Sequence, residues 1–532
     1  MVRSFSILAL VAALSGIATG QQKNDWAQWR GSERNGLSVE SVALLDKFEK
    51  LEPVWRSEAV NGHTEGGYAS PVVSGGRVYI NFTPVTTVPI ELEFTGHVMN
   101  VLGAVPEGVE DALLEKLDTG RKSLAEIKDG RERKTAAGKW VNENLSEEER
   151  KLLGGFAIAW AEKGENALTI STLRKVATLK DKKFADQAPL DAWFAENAIE
   201  KSDQEIINKA IPRTKRVFDE CVLCLDAATG KTLWKKVISP GHGTVQWGGG
   251  SSTPLVTSEH LYFLTADGIM YCLDIAKEGE IVWKTQLAKF NNNNDATNSS
   301  PLLLDGKIFV QSMHLYALDA KTGEILWGLT EGEDAKKVQG ANCSPMPWKV
   351  DGKTYVLSGN GRLGCVEPES GEVLWSVGGG TYSTPVVAGD VMAVTVQDKP
   401  ALFYRISEMD AEALTKDNEV PNTRGSSFAT DGNRFYMQGK TETAAFDAKS
   451  LAELWRVKNN GDHFGSPIVA DGKLIGLSDK SDIWMLDAAT GDMLGKFPAE
   501  ILTCTSPVLV DGFLYIRGKE NIICYDLRKD KK

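Results

Sequence analysis

The sequence predicts an all-β protein, an eight-bladed β-propeller in which an N-terminal strand closes the last blade and a helical insertion interrupts the first. Three observations carry this. A Ser/Thr-Pro step followed by apolar residues stands at Ser70-Pro71, Thr253-Pro254, Ser300-Pro301, Ser344-Pro345, Thr384-Pro385, Ser466-Pro467 and Ser506-Pro507, with a degenerate copy at Ser427-Phe428. From Pro254 onward the copies are 47, 44, 40, 43, 39 and 40 residues apart, counting Phe428 as one of them; a self-similar period of this length with several short strands per unit is the signature of propeller blades. The third observation is a missing strand at one end of the chain and a spare one at the other.

Taken in chain order, the first element is an export signal over residues 1–20. Arg3 supplies the positive start, Phe5 to Ala13 is nearly all apolar, and Ala18 and Gly20 are small residues at cleavage spacing. The apolar run is too short to span a membrane. Residues 21–83 form the lead-in, the closing strand and the start of the first blade. Pro53 to Arg56 carries Trp55 and has no partner nearby in sequence, whereas the last repeat ends after a third strand at Ile522 to Tyr525. Pairing the two joins both ends of the chain in one sheet and removes an open edge.

The first blade is interrupted. Its second strand, Arg77 to Phe82, precedes its third by far more than a turn, and Pro71 and Pro254 lie 183 residues apart. The segment 84–215 is Lys/Glu-rich and lacks the repeat phrase. It carries two capping-box patterns, Ser146-x-x-Glu149 and Ser202-x-x-Glu205. Leu152, Phe156, Ala159 and Trp160 fall on one helical face, so a small helical subdomain is expected there. Residues 216–532 hold the remainder of the propeller.

Each regular blade reads alike. After Ser300-Pro301 comes an inner strand, an Asp305-Gly306 hairpin turn, a second strand Lys307 to Gln311, a third beginning at Leu315, a turn from Asp319 to Gly323, and an outer strand ending on Trp327. The recurrent Asp, Gly and Trp residues are expected to build blades, the Trp packing between neighbours. Cys224, Cys272, Cys365 and Cys524 share a slot that holds Ala317 and Ala445 elsewhere. A slot that takes Cys or Ala wants a small apolar side chain, so the seven cysteines are expected as thiols.

The formal charge is −12, with no Lys/Arg-rich tract, which argues against nucleic-acid partners. The loops expected at one mouth of the axial channel are polar and Gly-rich. They carry His63 and Glu65, then His242, Gln246 and Trp247, then Asp295; across the axis stand Asn342, Tyr382, Arg424, Asp462 and His463. These are the candidate binding residues, for a small polar ligand or a partner protein, with Trp247 and Tyr382 as walls. His63 and His242 come from adjacent blades and His463 from the seventh, so no metal site is expected.

The phrases LDAATGKTLW at 225–234 and LDAKTGEILW at 318–327 resemble the pyrroloquinoline-quinone-like (PQQ-like) propeller repeat, and the resemblance covers everything outside the signal and the insert. The opening WAQWRGSERNG, Trp26 to Gly36, is similar to the lead-in of exported bacterial members. The resemblance implies one of two functions. Quinoprotein dehydrogenases hold PQQ and calcium on the axis and oxidise alcohols or sugars. Members similar to the outer-membrane assembly scaffold bind partner proteins without a cofactor. This chain lacks the adjacent Cys-Cys pair that marks the enzymes. The expectation is an exported, periplasmic or extracellular binding or scaffold module without cofactor, compatible with peripheral association at the envelope. The alternative is a PQQ-dependent dehydrogenase.

Overall fold

The computed structural model describes residues 25–60, 67–103, 105–106, 108–242, 251–287, 298–414, 420–458, 464–502 and 504–530. The chain divides into two compact units, one formed by Met1–Val85 with Val217–Lys532 and the other by Thr86–Arg216. The signal proposed for residues 1–20 lies outside the described residues. No helix among the described residues is long and apolar enough to cross a membrane.

The first unit is all-β and propeller-like. Its described residues form eight sheets of four strands, one of which bears a fifth. The third is representative, with strands Leu302–Leu304, Lys307–Ser312, His314–Asp319 and Ile325–Gly328 paired in antiparallel order. Its first turn is Asp305-Gly306, with φ of +49° and +76°. Positive φ at both residues is the type I′ geometry whose twist matches the flanking strands. Asp351-Gly352, Asp471-Gly472 and Asp511-Gly512 repeat it.

One contact joins each sheet to the next and a second recurs at several of the junctions. The inner one is the hydroxyl of the Ser/Thr step. The Ser70 amide donates to Thr253 Oγ1 (3.0 Å), the Thr253 amide to Ser300 Oγ (3.0 Å), and the Ser300 amide to Ser344 Oγ (2.9 Å). The chain of bonds runs on through Thr384, Ser427 and Ser466 to Ser506. The Ser506 amide then donates to Ser70 Oγ (2.9 Å), which closes the circuit. The degenerate copy at Ser427 takes its place in the circuit like the others. Phe428, standing where the other copies have Pro, packs against Phe403 and Phe435.

The outer contact is a Trp docked on the neighbouring turn. Trp283 Nε1 donates to Ala320 O (3.1 Å), and a Cβ added to Gly323 would sit 2.5 Å from the Trp283 ring. Trp55 over Gly230, Trp327 over Gly371 and Trp455 over Gly491 repeat the arrangement, each Trp donating to a carbonyl of the same turn at 3.0–3.1 Å. The seventh sheet has Leu494 in the Trp neighbourhood, and there Phe48 covers Gly495 instead. In the last sheet Pro53–Arg56 pairs antiparallel with Ile522–Asp526, setting Trp55 opposite Cys524.

The second unit holds helices between Gly96 and Ala210 around its own apolar core. Ser146 and Glu149 form the full reciprocal capping box. Two expectations are corrected. Ser202 does not cap: the helix Lys201–Ala210 begins earlier, at Glu200. The face of Leu152, Phe156, Ala159 and Trp160 is broken by Gly154-Gly155, which ends one helix at Leu153 and starts another at Phe156. The break shifts the phase, so Leu153, Ala157 and Trp160 are buried while Leu152 and Ala159 are exposed.

Cys221, Cys224, Cys272, Cys343, Cys365 and Cys524 are buried thiols. Burial pushes Cys221, Cys272, Cys365 and Cys524 up to about 12, and Cys224 and Cys343 up to about 11. At about pH 8 these six should therefore stay protonated and unreactive toward an aromatic disulfide reagent in the native protein, and titrate fully in denaturant. Cys504 is partly exposed, so prompt labelling of more than one thiol in the native protein would contradict this. Gly323→Ala should lower stability by about 2 kcal/mol or more, because φ of +73° and the Trp283 ring both oppose a Cβ. Denaturant melts compared with Lys321→Ala, an exposed position of the same turn, check it.

Candidate functional site

Side chains two residues apart on an extended segment point the same way. The residue two positions before each hydroxyl of the circuit therefore faces the axis. Tyr68, Asn298, Tyr382 and Phe464 precede Ser70, Ser300, Thr384 and Ser466 in this way, and all four line one cavity of about 500 Å³. Ser251, Asn342, Gly425 and Cys504 contribute the same position from the other sheets, and Arg424 and Gln397 complete the wall.

The segment Trp26 to Ser38 runs across the axis beneath this cavity. At one side Trp26 pairs with Val73 through two backbone bonds, and Ala27 O accepts from the Val256 amide. At the other, Asn35 O accepts from the Thr430 amide, Gly36 O from the Val469 amide, and Ser38 Oγ donates to Leu509 O (2.9 Å). In the middle the Arg34 guanidinium donates to Ser300 O (2.9 Å) and Pro301 O (2.7 Å), and Arg30 donates to Phe428 O. The segment thus touches sheets on opposite sides of the axis and forms the cavity floor, with Trp29 in the lining.

The floor is positively charged. Arg30 and Arg34 are 2% and 0% exposed, and their guanidinium carbons lie 5.3 and 5.9 Å from the Trp29 ring centre. Burial pushes both down to about 9, so both stay cationic at neutral pH. Their bonded partners are carbonyl oxygens and Gln28, without a carboxylate. Arg517, also fully buried, donates to Ala69 O (3.1 Å) and is pushed down to about 9 by the same cause.

Of the residues singled out in the sequence, Tyr382, Arg424 and Asn342 meet in this cavity. His63, Glu65, Gln246, Trp247, Asp295, Asp462 and His463 lie outside the described residues. His242 ends the strand Thr232–His242, its side chain also outside them. Sequence reasoning missed Trp29, Phe464 and Gln397. The position two before each hydroxyl was available as a signal for Phe464; the Trp-Arg pair inside WAQWRGSERNG was available for Trp29. The described lining contains no Asp or Glu, and no cluster of three His, Cys, Asp or Glu among the described residues is placed to hold a metal. Calcium takes several oxygen ligands including carboxylates, and no carboxylate stands among the described lining residues.

Comparison with known proteins follows the same fold. The chain is 22% identical over 316 residues to an outer membrane protein assembly factor BamB of Yersinia pestis, spanning 57% of this chain and 68% of that one. A quinohemoprotein alcohol dehydrogenase, ADH-IIG of Pseudomonas putida, is 27% identical over 140 residues, which are 24% of this chain and 19% of the dehydrogenase. Among solved structures, BamB from Moraxella catarrhalis superposes with a TM-score of 0.45 at 13% identity, covering 59% of this chain and 90% of that one. The quinohemoprotein alcohol dehydrogenase of Comamonas testosteroni gives 0.49 at 11% identity, covering 97% and 82%. The family described as outer membrane protein assembly factor BamB matches residues 219–346, 317–417 and 405–496, more than half of the chain. The chain therefore belongs to this family of PQQ-like repeat proteins, with relatives among both the assembly factors and the quinohemoprotein dehydrogenases.

Proposed function

We propose that this chain is an exported, eight-bladed PQQ-like propeller, with a helical insertion in its first blade, that serves as a cofactor-free scaffold for partner proteins at the cell envelope. The observation that carries this reading is the family match, together with relatives at 22% and 25% identity that are assembly factors and are covered over 68% and 69% of their length. The closed circuit of eight hydroxyls supports the blade count. The apolar stretch Phe5 to Ala13 supports export. The candidate contact face is the mouth: Tyr382 and Arg424 line the cavity, and the proposal extends to His63, Glu65, His242, Gln246, Trp247, Asp295, Asp462 and His463, whose side chains lie outside the described residues. The dehydrogenase reading has weaker support, because that match covers 19% of the enzyme and the described lining offers calcium no carboxylate.

Two measurements on the purified full chain test the reading together. Incubation with PQQ and calcium should give no quinone absorbance retained after gel filtration and no dye-linked alcohol oxidation above the protein-free rate. A photo-crosslinker at position 382 should trap one defined envelope protein, and Arg424→Glu should reduce that adduct several-fold. Dye reduction that depends on PQQ, or the absence of any specific adduct, would contradict the scaffold reading.

A further inference from the structure

We propose that the axial cavity is a non-catalytic saccharide site, which takes a terminal mono- or disaccharide with its ring laid over Trp29. This adds a small-ligand site to the scaffold reading and stands on the cavity alone. Size is the first argument. A space of about 500 Å³ falls within the range of small-molecule sites, roughly 300–1,000 Å³. The Trp26 to Ser38 segment crosses its floor, so a ligand enters and leaves by the mouth, and an extended polymer cannot thread it.

The chemistry of the wall is the second. Trp29 offers a flat ring at the floor, and Tyr382 and Phe464 form an edge-to-face pair with centroids 6.0 Å apart. Fixed aromatic faces accept the apolar C–H face of a pyranose ring while costing little side-chain entropy. The polar groups are amides. Asn298 Nδ2 donates to Asn342 Oδ1 (3.0 Å), which fixes the Asn342 amide in the cavity wall. A fixed amide N–H beside aromatic faces suits a ring hydroxyl, whose oxygen accepts.

The charge of the floor is the third. Arg30 and Arg34 stand against Trp29, and the described lining has no carboxylate. An amine or other cation over the same indole is thereby disfavoured, whereas a neutral polyol is not.

The test is calorimetric titration of the full chain with cellobiose, maltose and N,N′-diacetylchitobiose, run beside a neutral tetrapeptide and beside PQQ with calcium. Saturable binding of at least one disaccharide is expected. Asn298→Ala and Tyr382→Ala, each melting close to the wild type, should both weaken it about tenfold or more, as loss of a buried hydrogen bond or a stacking wall requires. Leu233→Ala, on an exposed outer strand, should leave it unchanged. No saturable binding by any of the three disaccharides overturns the proposal, and so does binding that survives both cavity variants. Binding of the tetrapeptide alone also overturns it while leaving the scaffold reading intact. Turnover with PQQ would instead sink the scaffold reading.

Discussion

A backbone N–H at the head of an inner strand is buried and must find an acceptor. In this protein the acceptor is always a hydroxyl on the next sheet, and the eighth such bond returns to the first residue. The rest of the molecule depends on that closure. It fixes which side-chain positions face the axis, because the residue two before each hydroxyl must point the same way. It also accounts for the residue that follows. Proline has no amide to satisfy and a fixed φ, so it fits where the strand begins and no further donor is wanted. Serine and threonine serve because a hydroxyl can accept one bond while donating another, as Thr384 Oγ1 does toward Ser344 O.

Closure at the centre would be weak without closure at the rim. There the Trp of one outer strand lies on the turn glycine of the next sheet, and the N-terminal strand Pro53–Arg56 lets the last sheet do the same through Trp55 and Gly230. The chain ends are therefore structural. One of them goes further: the segment Trp26 to Ser38 passes under the axis and turns a channel into a floored cavity. Two buried arginines hold it there by carbonyl contacts, at a desolvation cost that their lowered pKa values register. Spending two buried cations on a plug is unusual and is understandable if the floor they hold is used.

The repeating body was legible because its determinants are local. Asp-Gly turns, the Asp-to-Gly turn under each Trp, and the hydroxyl step are short phrases whose geometry follows from their own residues. Ser427-Phe428 could be aligned despite its missing proline because the hydroxyl, not the proline, is what the neighbouring sheet requires. The site was legible only in part. Tyr382, Arg424 and Asn342 sit on repeat positions and could be placed at the mouth. Trp29 had only the Trp-Arg pair to mark it, since it belongs to no repeat and its segment is placed by contacts of Trp26 with Val73, Arg34 with Ser300 and Gly36 with Val469, far away in sequence. The helical face of Leu152 and Trp160 failed for a different reason. Two consecutive glycines reset the helical phase, and the 3.6-residue period was carried straight through them.

Amide hydrogen exchange of the eight circuit residues, Ser70, Thr253, Ser300, Ser344, Thr384, Ser427, Ser466 and Ser506, tests the central claim most directly. If the circuit is closed, none of these amides is a terminus. All eight should then exchange only through opening of the whole ring, with a common and high protection. Protection that falls off toward Ser70 and Ser506 while the others stay locked would mean that the ring is open at that junction, and would contradict the account.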